Sequence, residues 1–182
     1  MESKKNKMSF EIIKPFGPSI VKINIPDEII LRINKYIDEL IQDKEKTLKL
    51  DYGSSLAGNV TQEFLLDIDF MQKIKWVEFL AGMSQKWLQE GHNITLKKFE
   101  ILTSWVVKQY KHEYNPIHYH DGHISGVGYL KVPKNMGDPA QKNKKINHNG
   151  KLILIDGSKK FLCNPLQKIQ EFEKFINISH TV

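Results

Sequence analysis

Apolar positions in the first half of the chain recur at helical spacing. The first such stretch opens at Pro26–Asp27 and predicts an amphipathic helix to about residue 46, with an apolar face of Ile30, Ile33, Ile37, Leu40 and Ile41. A second helix is predicted over about 67–90, where Gly91 would end it and an apolar stripe is formed by Ile74, Val77, Leu80, Ala81, Trp87 and Leu88. Between them, 48–61 is rich in glycine, serine and asparagine and is predicted to be a loop.

The pattern of the second half has a period of two, which predicts strands. Phe99–Tyr110 is a long run rich in β-branched and aromatic residues, and Ile124–Val132 is another. A further strand is predicted over Lys151–Ile155, because the Asp-Gly pair that follows is a strong hairpin signal. Two short strands are also predicted within 9–23, on either side of a turn that contains prolines and a glycine.

The order of these elements predicts a single α+β domain over 1–182. Residues 1–8 are expected to be disordered, 27–90 to form mainly helical support, and 93–182 to supply the sheet. Near the end, apolar residues return to helical spacing behind an Asn-Pro pair, which favours a helix over about 165–176.

Composition places the chain among ordinary soluble proteins. Of its 182 residues, 40% are hydrophobic and 26% charged, and no apolar run is long enough for a membrane span. No apolar stretch follows the basic N-terminus, so a secretory signal is not expected. A single cysteine, Cys163, excludes an internal disulfide framework. We therefore expect a cytoplasmic protein with no membrane partner.

The net charge of +6 raises the alternative of nucleic-acid binding. The lysines are spread along the chain, and no zinc-finger, homeodomain or ribonucleoprotein motif accompanies them. Small charge clusters are usually solvated loops, so nucleic acid is not expected as a partner.

The most informative stretch for chemistry is 118–130, which places three histidines and a carboxylate within six positions. Imidazole binds divalent transition metals at neutral pH, and residues i and i+2 of a strand share a face. His118 and His120 are therefore expected to aim at one point, whereas Asp121 would point to the opposite face and ranks below His120 as second ligand. A catalytic metal needs a third ligand from a distant strand, and His180 is the candidate.

Several further motifs accompany the histidine pair, at Pro15–Pro18, Leu56–Val60, Trp105–Tyr110, Ile124–Pro133 and Gly150–Gly157. In this combination the chain, from about 14 to 165, resembles the 2-oxoglutarate- and Fe(II)-dependent oxygenases found in marine phages and bacteria, which are relatives of the prolyl hydroxylases.

The resemblance implies a double-stranded β-helix, or jelly roll, flanked by N-terminal helices. It implies Fe(II), 2-oxoglutarate as cosubstrate and dioxygen, with oxidative decarboxylation to succinate coupled to hydroxylation of an unidentified substrate. It implies metal ligation by His118, His120 and His180, where His120 replaces the aspartate of the wider superfamily's His-x-Asp motif.

The C-terminal part departs from the family pattern. The strand expected after the distal histidine, which carries an arginine for the cosubstrate carboxylate, is missing, so the jelly roll is expected to be incomplete. Lys131 is the candidate substitute, and Tyr110 and Tyr129 are candidate hydrogen-bond donors to 2-oxoglutarate.

This departure keeps an alternative open: a shortened or catalytically inactive jelly-roll module, similar to a cupin, that binds metal without turnover. It also leaves open a homodimer that completes the barrel across the exposed sheet edge.

Overall fold

In the computed structural model, the described residues are 9–14, 19–138 and 147–154, with the backbone of 170–171 and 180–181. An N-terminal hairpin comes first, formed by β1 (Phe10–Ile13) and β2 (Ile20–Ile23) in antiparallel register. The two short strands predicted within 9–23 are therefore confirmed. The hairpin docks on a helix end, where Trp87 Nε1 donates to Ser19 Oγ at 3.1 Å and Lys14 Nζ donates to the Gly91 carbonyl at 2.6 Å.

Four helices follow, which are α1 (Asp27–Leu40), α2 (Lys44–Leu50), α3 (Ile68–Lys73) and α4 (Trp76–His92). Each long helix predicted from periodicity is thus a broken pair. Asp43 starts α2 by accepting the Lys46 N–H at 3.1 Å, and Lys75 separates α3 from α4 with a left-handed φ of 62°. The prediction that Gly91 ends the second helix was wrong, because the left-handed residue at the C-terminus is Asn93.

The central sheet has three strands, in the order β3 (Gln62–Leu65), β4 (Trp105–Gln109) and β7 (His180–Thr181). Strands β3 and β4 are antiparallel, with Glu63 opposite Val107, and β7 runs parallel to β4. A separate pair joins β5 (Ile153–Leu154) to β6 (Gln170–Glu171). A short 3-10 helix at Gly53–Ser55 lies in the predicted loop.

The core lies between α1 and one face of the central sheet. Its buried apolar side chains come from α1, α3, β3 and β4 and from residues next to them: Ile25, Ile29, Ile33, Ile37, Leu40, Phe64, Leu66, Met71, Ile74 and Val106. Because directly opposed residues of antiparallel strands project to the same face, Phe64 and Val106 mark the core face. The opposite face, which carries Glu63 and Trp105, is the one that builds the candidate site.

Three strand predictions differ from the structure. The predicted strand Phe99–Tyr110 is reduced to β4, and Lys151–Ile155 to the two residues of β5, with Ile155 outside the described residues. Ile124–Val132 forms no regular strand. The segment contains two glycines, which weaken strands, and is held by side chains instead: Asn34 Nδ2 donates to the Leu130 carbonyl at 3.2 Å.

The predicted fold class is confirmed as a mixture of helices and strands, but the described residues form only small sheets of two, three and two strands rather than a jelly roll. Of the helix predicted over 165–176, Gln170–Glu171 lie in a strand and the rest falls outside the described residues, as does 1–8. None of the helices in the described part of the chain combines the length and apolar character of a membrane span.

Candidate metal centre

The two predicted ligands of the histidine pair, His118 and His120, do converge. Their Nε2 atoms lie 3.0 Å apart, and the ring planes are inclined at 71°. A metal–nitrogen bond of about 2.1 Å puts adjacent ligands of an octahedron about 3.0 Å apart and those of a tetrahedron about 3.4 Å apart. The separation matches one edge of an octahedron, and it is also that of a hydrogen bond between the two rings. The backbone that carries both rings is irregular rather than a strand, so the predicted strand geometry was wrong although the rings meet.

A backbone carbonyl orients the first ring of the pair. His118 Nδ1 donates to the Pro116 carbonyl at 2.7 Å. With its proton on Nδ1, the neutral imidazole presents the lone pair of Nε2 toward His120. Metal-binding histidines commonly use such a second hydrogen bond to set the tautomer and ring orientation.

An aromatic platform supports the second ring. His120 stacks on Trp105 of β4, with ring centroids 5.3 Å apart and planes 28° from parallel. The ring centroids of Tyr52 and Trp105 lie 6.2 Å apart. Desolvation lowers the pKa of the His120 imidazole, the neighbouring His118 ring lowers it further, and Asp121 opposes both. The environment therefore favours the neutral ring, which is the form that ligates a metal.

The loop that leads to the histidines is fastened by Glu113. Its carboxylate accepts hydrogen bonds from Thr61 N at 3.1 Å, Thr61 Oγ1 at 2.6 Å and Tyr110 N at 2.6 Å. Asn59 and Tyr114 add an isolated antiparallel bridge. Although desolvation raises the pKa of the Glu113 carboxyl, these hydrogen bonds lower it overall. The turn after β4 is thereby held against the loop before β3, which carries the Leu56–Val60 motif.

A comparison with protein families identifies this region. A family model described as "Putative 2OG-Fe(II) oxygenase" matches residues 103–171, a segment that begins just before β4 and includes the histidine pair. These 69 of the 182 residues are therefore similar to the 2OG-Fe(II) oxygenase family. The resemblance predicted from the sequence is therefore confirmed. The family implies Fe(II), 2-oxoglutarate and dioxygen. No curated protein and no solved structure matches the chain.

The third predicted ligand, His180, lies after the matched segment, in β7, where its backbone pairs with Lys108 of β4. Lys108 is two residues from Val106, so this register position belongs to the core face of the sheet, whereas His120 stacks on Trp105 of the opposite face. The register therefore gives no support to ligation by His180, which stays a prediction. Within the described residues, no three His, Cys, Asp or Glu side chains are grouped to hold a metal ion, so Asp121 does not complete a triad with the pair.

The three residues predicted to contact the cosubstrate lie at different places around the sheet. Tyr110 Oη donates to Gln62 Oε1 at 3.2 Å. Tyr129 packs against the core, and burial raises the pKa of its phenol. Lys131, two residues later, is exposed. Their role in binding 2-oxoglutarate stays a prediction.

Sequence reasoning missed Glu63, which lies on the Trp105 face of the sheet. It is 2% exposed, and its Oε2 has no hydrogen-bond partner within the described part of the chain. Burial raises the pKa of the Glu63 carboxyl, the carboxylates of Asp51 and Glu113 raise it further, and the charge of His118 opposes them. The only sequence signal was its position just after the Leu56–Val60 motif, since a four-residue strand is too short for periodicity to reveal.

Proposed function

We propose that the protein is an Fe(II)- and 2-oxoglutarate-dependent dioxygenase that hydroxylates a substrate at a C–H bond. The observation that carries this proposal is the 3.0 Å separation of the two Nε2 atoms of His118 and His120, within a segment that matches the oxygenase family. Two neutral imidazoles at an octahedral edge leave other positions free for a third ligand, cosubstrate and dioxygen.

Some residues would bind the ion and others would orient those ligands. His118 and His120 would occupy two adjacent positions, and the Pro116 carbonyl keeps the lone pair of His118 directed inward. Trp105 covers one face of His120 and limits its rotation and hydration. His180 is proposed as the third ligand on the resemblance to the family, which implies a distal histidine. When bound, Fe(II) supplies the oxidative decarboxylation of 2-oxoglutarate to succinate that is coupled to hydroxylation.

The cosubstrate is proposed to bind beside this centre. The carboxylate of 2-oxoglutarate requires a cation and hydrogen-bond donors, which we assign to Lys131, Tyr110 and Tyr129 on the resemblance to the family. We also propose that the family segment belongs to a single domain over 1–182, whose jelly-roll core is formed by 93–182 and supported by the helices of 27–90.

The test is succinate formation by the full chain. Protein loaded with Fe(II) without air, then mixed with 2-oxoglutarate and oxygen, is expected to produce succinate above the protein-free background. His118→Ala should lose this activity and bind Fe(II) at least about 100-fold more weakly, beyond what losing an outer-sphere partner costs. The matched control is His123→Ala, which removes an exposed histidine outside the pair and should keep both properties.

Two other outcomes separate the alternatives. Metal uptake that depends on His118, without succinate, would support the inactive metal-binding module instead of the dioxygenase. If the wild-type chain binds no divalent ion at all, both functions are refuted.

A further inference from the structure

We propose that Glu63 is a positioning residue of the metal centre, whose carboxylate supplies the negative charge that the two histidines lack. This inference rests on the proposed function, because it requires a divalent ion at the histidine pair. It concerns a buried carboxylate outside the predicted ligand set, acting from the outer sphere.

The sheet register places Glu63 on the side of the histidines. Leu65 opposes Trp105 and Glu63 opposes Val107, so these side chains share one face of the β3–β4 pair. His120 stacks on Trp105, which puts its ring over that same face. The carboxyl group therefore lies on the sheet face that carries the histidine pair rather than on the core face.

The loop before the histidines also closes over Glu63. Glu63 Oε1 and Asn115 Oδ1 lie 2.7 and 2.5 Å from the point where a Cβ on Gly58 would stand. Asn115 is three residues before His118, so the segment that leads to the first ring and the Glu63 carboxyl group meet at Gly58. Gly58 permits this approach because it has no side chain.

Glu63 carries unused hydrogen-bonding capacity in a dry position. Glu63 is 2% exposed, and its Oε2 has no hydrogen-bond partner among the described residues. A buried carboxylate without a partner is costly, and one that persists needs a positive charge or a donor. Neighbouring acids are already occupied: Asp51 Oδ1 accepts the Gly53 N–H at 3.1 Å, and Glu113 accepts three hydrogen bonds.

A divalent ion held by His118 and His120 would provide the missing positive charge. Both ligands are neutral when they bind, so they bring no negative charge to the ion. A buried carboxylate is screened less by water than an exposed one, so Glu63 on the same sheet face stabilises the loaded state although the two histidine rings are exposed. The ion satisfies Glu63 in return, which couples metal binding to the packing of the loop around Gly58.

The test compares metal affinity in isosteric variants, with Co(II) as the probe and isothermal titration as the readout. Glu63→Gln should bind Co(II) about 10–100-fold more weakly than wild type, the usual cost of losing an outer-sphere partner. Glu63→Asp keeps the charge and should recover part of the loss. The matched control is Glu39→Gln on the exposed side of α1, which removes the same charge and should leave the affinity unchanged.

A merely structural role predicts a different result. Without metal, the Glu63→Gln protein should be at least as stable to urea as wild type, because the change removes an uncompensated buried charge. If this folded variant binds Co(II) with unchanged affinity, the inference is overturned. Should the variant fail to fold, NMR of the carbon-13-labelled wild type decides, because the Glu63 carboxyl resonance must move on Zn(II) addition while that of Glu39 stays. Absence of metal binding by wild type would instead refute the proposed function itself.

Discussion

The closest packing around Glu63 can be tested by adding a single methyl group at Gly58. In Gly58→Ala, the new Cβ would lie 2.5 Å from Asn115 Oδ1, 2.7 Å from Glu63 Oε1 and 3.2 Å from Val60 Cγ2. The first two distances are shorter than carbon–oxygen contacts allow, so atoms must move. Asn115 is exposed and can turn away, whereas Glu63 is 2% exposed and has no room to do so.

The expected cost follows from these contacts. Adding a methyl group to a tightly packed site typically costs about 1–3 kcal/mol. Replacing glycine by alanine returns about 0.4–1 kcal/mol, because the unfolded chain loses conformational freedom. We therefore expect Gly58→Ala to lower the free energy of unfolding by about 1–2 kcal/mol, from the difference of these effects. For a chain of this size, that corresponds to a decrease in Tm of about 2–8 °C.

The free energy of unfolding is measured by urea titration, and two other glycines provide matched controls. In Gly53→Ala the added Cβ would meet Asp51 Oδ1 at 3.4 Å and Glu63 Oε2 at 3.5 Å, which are ordinary contacts beside the same carboxyl group, so no loss is expected. In Gly82→Ala nothing lies within 4 Å, and the change sits inside α4, so the free energy of unfolding should rise by about 1 kcal/mol.

The order of the three variants decides the question. Gly58→Ala must be the least stable and Gly82→Ala the most stable. If Gly58→Ala unfolds at the same urea concentration as Gly53→Ala, the loop does not pack on Glu63 as described, and the argument for a buried, enclosed carboxyl group fails with it.

Two further predictions concern the core and the loop clasp. Ile37→Ala on α1, whose side chain is fully buried, should lower the free energy of unfolding by about 2–5 kcal/mol in urea, and a loss below 1 kcal/mol would contradict the assigned core. Glu113→Gln should destabilise the protein at neutral pH, because the pKa of Glu113 is lowered and its ionised form holds the loop. That contribution is present above the ordinary carboxyl pKa of about 4.3 and is lost as the pH falls through the lower folded value, so thermal melts of variant and wild type should converge in acid; a difference that persists there would refute the assignment.

Local periodicity in the sequence was enough to predict the helical part of the core. The apolar spacing on α1 placed Ile33, Ile37 and Leu40 in the core, where they are buried. The histidine pair could be found from the sequence because two imidazoles two positions apart can approach each other in several backbone conformations. The two rings do meet although the predicted strand is absent, and metal binding by them stays a prediction.

Periodicity could not locate the breaks and the short strand. The apolar stripe continues through Lys75, where a left-handed residue separates α3 from α4, and β3 has only four residues. Ile124–Val132 alternates as a strand does, yet it forms none, because a strand needs a hydrogen-bonded neighbour and the pattern alone does not provide one.

The residues that surround the histidines could be identified from the folded chain alone. Trp105 lies beneath His120 because β4 pairs with β3 in one register, and that register also carries Glu63 to the same face. The burial of Glu63 comes from the approach of Gly58 and Asn115, which are distant in sequence from each other. Such contacts depend on the spatial meeting of separate segments, and no local pattern of apolar and polar residues encodes that meeting.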